Sequence, residues 1–216
     1  FGDPDFFNGP KHAINIVTNL NNEFPDLGYD VIIKVEHLLK HQNLLPELAE
    51  TGCRFVTTAV ESIDDLILMK LEKGHTSHDF KDVIRITRNI GLTLSPTFIP
   101  FTPWSTTSDY IKLLKSIAEL GIIDNVASVQ LTIRLLIPLG SRLLELEEIR
   151  QKVSDFDPEA LGYSWRYIDP NMENLANNVR LIVEEGETHE ETRRQIFKQL
   201  WETAINLSNL PKEFLH

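Results

Sequence analysis

The chain has 216 residues, 42% of them hydrophobic, enough to bury a sizeable core as one large domain or as a domain with an appendage. Its net charge of −11 argues against a nucleic-acid backbone or an anionic membrane surface as the main partner. No apolar run reaches the ~18 residues of a membrane span, and the single cysteine, Cys53, excludes an intrachain disulfide or a multi-cysteine metal site within these residues. A cytoplasmic protein is the expectation.

The opening FGDPDFFNGP reads as the end of a strand and its loop, so the chain is expected to begin inside a repeat. A helix follows from about Pro10 to Phe24, with Pro10 in its first turn and Ala13, Ile16, Val17 and Leu20 as its apolar stripe. Next come a strand over 30–35, a helical region over 38–50 interrupted near Pro46, and the stretch CRFVTTAVESIDD. That stretch reads as a strand, Cys53–Val60, running into a helix over 63–72, with Ser62 at the N-cap and Asp65 three residues on. Thr76 with Asp79 starts the next helix, and a strand runs over 92–99. Thr106 with Asp109 caps a helix over 110–120; a strand over 127–135 and a helix over 142–151 complete the series.

Alternating helices and strands at this spacing predict right-handed crossovers and a parallel sheet. Residues 155–170 read as loop, and two helices are expected over 172–184 and 188–207, the second capped by Thr188 with Glu191. Each strand has one polar face: Thr57, Ala59 and Glu61; Thr93, Ser95 and Thr97; Ser128, Gln130, Thr132 and Arg134. A parallel strand covered on both sides is apolar on both. The fold class is therefore α/β, a partial (β/α) barrel with helices on the outer face only, plus C-terminal helices. The expected division is 1–154 for the barrel and 155–216 for the loop and helices.

Ligands of such folds bind at the C-terminal ends of strands. Gly2, Asp3, Lys34, Glu36, Glu61, Ser62, residues 100–104 and Arg134 fall there, a set that suits an amino-acid-like or zwitterionic ligand. Lys34 and Glu36 have the competing reading of solvated or mutually paired charges. Arg134 lies in an apolar run, TIRLLIP, and needs a carboxylate partner, from protein or ligand. His37 with His41, and His75 with His78, have no third ligand and no HExxH context, so no metal site is assigned.

With these residues in view, FGDPDFFNGP, DVIIKVEHL, LAETGCRFVTTAVESIDDLILMKLEKGHT, ITRNIGLTLSPTFIPFTPW and VQLTIRLLIPLGSRLL together resemble the core of a radical S-adenosylmethionine (SAM) enzyme. The likeness is to the iron–sulfur oxidoreductase type often joined to a cobalamin domain. It implies a partial barrel holding SAM on a [4Fe–4S] cluster, whose reductive cleavage gives a 5′-deoxyadenosyl radical for hydrogen abstraction; cobalamin is a further cofactor it allows.

By that resemblance Gly2 and Asp3 hold the methionyl amino group, Glu61 and Ser62 contact ribose and amino acid, Ser95 and Thr97 lie near adenine, and Arg134 holds a carboxylate; Lys34 and Glu36 complete the cofactor-binding set. The CxxxCxxC loop is absent from these 216 residues. The expectation is an inactive portion with no tightly bound cofactor, whose cluster ligands lie upstream. The expected partners are a small-molecule substrate of unknown identity and a second copy through an exposed sheet edge, with no nucleic acid and no membrane. The alternative function is a non-catalytic half-barrel binding a small polar ligand or a protein.

Overall fold

A computed structural model describes residues 1–208, so the last part of the expected C-terminal segment, 209–216, lies outside the described residues. The chain divides into two compact units, one formed by Phe1–Asp65 with Lys73–Thr97, the other by Leu66–Glu72 with Phe98 onward.

The first unit holds α1 (Pro10–Glu23), β1 (Tyr29–Ile32), α2 (Val35–Lys40), α3 (Leu45–Glu50), β2 (Cys53–Glu61), α5 (Ser77–Asn89) and all but the last residue of β3 (Thr93–Phe98). The intervening α4 (Asp65–Lys70) falls at the division. The strand order is β1-β2-β3, and β1 runs parallel to β2 with Val31 opposite Val56. The alternation read from the sequence is the alternation of burial: Val31, Val56, Thr58, Val60, Leu94 and Pro96 are buried, while Ile32, Thr57, Ala59, Glu61, Ser95 and Thr97 are half-exposed. α2 and α3 pack on β2, and α5 packs on α2. One face of the sheet is core and the other is polar, as required of a barrel wall with helices outside.

Local signals explain most boundaries. Thr76 and Thr106 each exchange hydrogen bonds with Asp79 and Asp109, closing the two expected capping boxes. Two caps fall elsewhere. α4 starts at Asp65, which moves its cap position past Ser62, and Asp65 Oδ1 instead accepts the Ser77 amide at 2.7 Å. Thr188 is the last residue of α8 (Met172–Thr188), its hydroxyl donating to Glu184 O. Thr192 and Gln195 make the reciprocal cap of α9 (Arg193–Ser208), because α8 runs on past Glu184. Gly186 permits that continuation: a Cβ there would stand 2.6 Å from Ile196 Cγ1 on α9.

In the second unit, α6 (Thr107–Glu119) and α8 both pack on α9. The strand expected over 127–135 does not form. Ser128–Leu131 is a 3-10 turn, with the Thr132 hydroxyl donating back to Val129 O at 2.8 Å, a local bond that competes with a strand ladder. Gln130 Oε1 accepts the Phe98 amide where a strand carbonyl would have stood. Only a single parallel bridge, Phe101 to Arg134, remains of the predicted pairing. The expected helix over 142–151 splits into a 3-10 turn, Arg142–Glu145, and one turn of helix, α7 (Glu147–Arg150). Residues 155–170, expected as loop, contain most of a hairpin, β4 (Val153–Asp157) with β5 (Gly162–Trp165), antiparallel and hydrogen-bonded to the chain at Ile137 through the Tyr163 amide.

Candidate functional site

The candidate rim lies in the first unit, where β1 and β2 end. β2 ends in a tight reversal. Glu61 has φ of +65°, and the Ser62 amide donates to Val60 O at 2.8 Å. A two-residue hydrogen bond closed over a positive φ is a γ-turn of the strained kind, and glutamate is not a residue that adopts it freely. The surroundings hold it. His75, buried at 9% exposure, has Nε2 3.2 Å from Val60 O, so that nitrogen carries the proton and donates. Lys73 Nζ donates to Glu61 Oε1 at 2.7 Å, with the Glu61 side chain 13% exposed. Burial holds the His75 imidazolium below its ordinary range, so the ring is neutral near pH 7.

The other expected contacts divide clearly. Ser62 Oγ accepts the Asp64 amide at 3.0 Å. Asp3 is exposed and its Oδ1 accepts the Asp5 amide at 2.8 Å; Gly2 is exposed beside it, with open space where a side chain would stand. Lys34 caps α2 rather than ending a strand, and its ammonium stands 3.7 Å from Asp5 Oδ2. Glu36 occupies the first turn of α2, and its Oε2 sits where a Gly74 Cβ would be, at 2.0 Å. Lys34 and Glu36 are thus not partners of one another, the pairing weighed from sequence: the helix begins at Val35 and turns them apart. Ser95 and Thr97 are on the half-exposed face of β3, with Thr97 Oγ1 3.5 Å from Thr58 O.

Asp5, Lys73 and His75 escaped the sequence reading as site residues. Asp5 is 7% exposed, and its Oδ2 lies 2.8 Å from His37 Nδ1, an approach not aligned as a hydrogen bond. KGHT, quoted above only as the end of a segment carrying the resemblance, is the segment that braces Glu61.

Arg134 belongs to the second unit. Its Nη1 meets both carboxylate oxygens of Glu173 at 3.2 and 3.1 Å, its Nη2 donates to Trp165 O at 2.7 Å, and its guanidinium covers the Trp165 and Tyr167 rings at 4.2 and 4.8 Å. Burial pushes the Tyr167 phenol up to about 12 despite the cation nearby. Trp104, within the strand-end stretch 100–104, donates to Glu148 Oε1 at 2.8 Å with Lys70 over its ring.

No family model matches the chain. Among solved structures, it superposes on the cobalamin-dependent S-adenosylmethionine radical enzyme OxsB, with aqua-cobalamin and S-adenosylmethionine bound, at a TM-score of 0.67 and 15% identity, covering 93% of this chain and 37% of that one. The chain has the radical SAM fold. Among curated proteins, the chain is 33% identical over 114 residues to the tRNA-2-methylthio-N(6)-dimethylallyladenosine synthase of Polynucleobacter necessarius subsp. necessarius (strain STIR1). The match covers 52% of the chain and 22% of that relative. The namesake of Bordetella petrii (strain ATCC BAA-461 / DSM 12804 / CCUG 43448) is 35% identical over 79 residues, 36% of the chain and 16% of the relative. The chain therefore spans less than a quarter of the curated relatives it matches. Their name states a tRNA nucleoside, which runs against an expectation of no nucleic acid drawn from net charge alone; an average charge does not report a local surface. Among the described residues no helix is long and apolar enough to cross a membrane.

The two cofactors implied by the fold fit these residues unequally. The half-exposed face of β2 and β3 offers hydroxyls and a strand-end carboxylate suited to a nucleoside. An iron–sulfur cluster requires several thiolates. The chain has one cysteine, buried, whose thiol burial pushes up to about 12, the opposite of a ligating thiolate. These residues do not fit a cluster.

Proposed function

We propose that residues 1–154 form the nucleoside-holding part of a radical SAM enzyme, and that the cluster thiolates of the intact protein come from residues other than these 216. One observation carries the reading: the carboxylate at the end of β2 is held by Lys73 in a turn that costs backbone energy. Strain of about 1–3 kcal/mol persists where the surroundings over-determine it, and such places cluster at binding sites.

In this reading Glu61 and Ser62 receive ribose and the amino-acid part, Asp3 and Gly2 the methionyl ammonium, and Ser95 and Thr97 flank adenine. Bound SAM supplies, on reductive cleavage, a 5′-deoxyadenosyl radical. The chain's own part is to orient the nucleoside and to keep the polar side of β2 and β3 facing it. For the substrate, relatives over half of the chain support a nucleic-acid base beside a small molecule as candidate classes; cobalamin is a further candidate cofactor, supported by the OxsB likeness.

Anaerobic expression of the longer protein tests the proposal. An absorbance band near ~400 nm from a thiolate-bound cluster, with 5′-deoxyadenosine formed on reduction, is the expected result, and the 216-residue chain alone gives neither. A longer protein that binds a ligand without yielding 5′-deoxyadenosine supports the non-catalytic half-barrel instead.

A further inference from the structure

The carboxylates around the ends of β1 and β2 are of two kinds. Asp5 and Glu61 have side chains only 10% and 13% exposed, and each faces a lysine ammonium: Lys34 for Asp5, with the His37 ring also close, and Lys73 for Glu61. Asp3 is exposed, and among the described residues its carboxylate meets only the Asp5 amide. A carboxylate with an ammonium 2.7 Å away presents little net charge to a ligand, yet it retains acceptor positions, since two oxygens offer about four lone-pair sites. That suits hydroxyl donors. A second ammonium would meet the repulsion of Lys73 at close range.

We propose that Lys73 is a positioning residue that pins and neutralises Glu61, so that Glu61 receives the vicinal hydroxyls of a ribose and leaves the ammonium of the ligand to Asp3. The inference rests on the reading of this rim as a nucleoside site. One short segment fixes the turn from both sides. Lys73 holds the Glu61 carboxylate, and His75, two residues on, donates to the same Val60 carbonyl that accepts the Ser62 amide. Gly74 between them has no side chain, which lets Glu36 Oε2 close against the backbone. Lys73 is itself 30% exposed, so its removal leaves a nearly enclosed carboxylate with no counter-charge.

The test titrates the 216-residue chain with 5′-methylthioadenosine, its 2′-deoxy analogue and L-methionine by calorimetry. The proteins are wild type, K73M, K73R, E61Q and the E61Q/K73M double variant. Wild type prefers the ribose probe to its 2′-deoxy analogue. K73M lowers that preference about tenfold and strengthens methionine binding, K73R restores the preference to within about twofold, and K73M has no further effect in the E61Q background.

K73M retaining the preference, or weakening all three probes equally, overturns the proposal, the latter being what a merely structural lysine does. E61Q has no charge to neutralise and keeps the preference for hydroxyls; it carries the test if K73M does not fold, and its loss of that preference overturns the proposal. A wild-type chain indifferent to the 2′-hydroxyl overturns the nucleoside reading itself and the inference with it.

Discussion

Glu61 and Arg134 are both charged residues that meet an opposite charge, and the two units use them differently. Around Arg134 the protein surrounds the charge with its own groups: a forked contact with Glu173, a backbone carbonyl at 2.7 Å, and two aromatic rings. The Tyr167 hydroxyl alone is left there as a buried polar atom without a partner among the described residues. Around Glu61 the backbone is held at a φ of +65°, the carboxylate is matched by one cation, and acceptor positions remain. The first arrangement joins segments of the protein to one another; the second, in the proposed reading, keeps a charge for a ligand. The rule that an enclosed charge needs a partner applies to both and does not by itself tell them apart.

The largest effect expected from this comparison is at Arg134. Its ion pair is weak evidence of stability, because the two side chains are 38% and 57% exposed and such pairs contribute about 0–1 kcal/mol. The charged hydrogen bond to Trp165 O and the two ring contacts weigh more, at about 1.5 and 0.5–1 kcal/mol each. Arg134→Met is expected to destabilise by about 2–3 kcal/mol, and Glu173→Ala by less than about 1 kcal/mol. Urea unfolding measures both. Nucleoside affinity is expected to remain at the wild-type level in Arg134→Met. A loss of affinity without a loss of stability would reverse the assignment and return Arg134 to the ligand.

The reason Arg134 was legible as paired but not as structural lies in the hairpin. Its partners Trp165 and Tyr167 fall in a stretch rich in Asp, Pro and aromatics that carries no clean alternation, so β4 and β5 were invisible in the sequence. The sheet of the first unit was legible because period-two burial is a local property: Val56, Thr58 and Val60 lie inside, and Thr57, Ala59 and Glu61 are half-exposed. The segment 127–135 has the same alternation and is not a strand. There Thr132 and Gln130 satisfy backbone groups with their own side chains, a competition that periodicity does not register. The brace of Glu61 was hidden for a third reason. Lys73 is twelve residues from its partner across a helix, a separation only the fold closes.

A smaller effect sharpens the claim that the turn at Glu61 is strained for a purpose. Glycine tolerates a positive φ and alanine does not, so Glu61→Gly is expected to be more stable than Glu61→Ala by about 1 kcal/mol. That inverts the usual order of the two residues within a strand. Both variants are expected to lose the preference for ribose hydroxyls. Equal stability of the two would mean that the residue at this turn bears no strain, and the contrast with Arg134 would lose its basis.

The smallest effect concerns pH. His75 is held neutral mainly by burial. Lys73 adds to the effect, while the Val60 carbonyl, Asp79 and Glu36 oppose it. A histidine whose affinity for protons is lower folded than unfolded makes the unfolded chain bind more protons as the pH drops below the ordinary value of 6.5. Stability contributed by the neutral ring is therefore present above pH 6.5 and declines as the pH falls through that value toward the lowered one. His75→Gln keeps a donor for Val60 O and removes the titration, so its melting temperature is expected to vary less across this interval than that of the wild type. Asp79, held low by its bonds to Thr76, changes protonation below this interval and does not mimic the effect. In the folded chain His75 keeps its neutral form through this interval and its Nε2 goes on donating to Val60 O, so nucleoside affinity is expected to stay level while stability falls. A fall in stability that leaves affinity untouched separates the bracing of the Glu61 turn, which His75 shares, from the binding of the ligand itself.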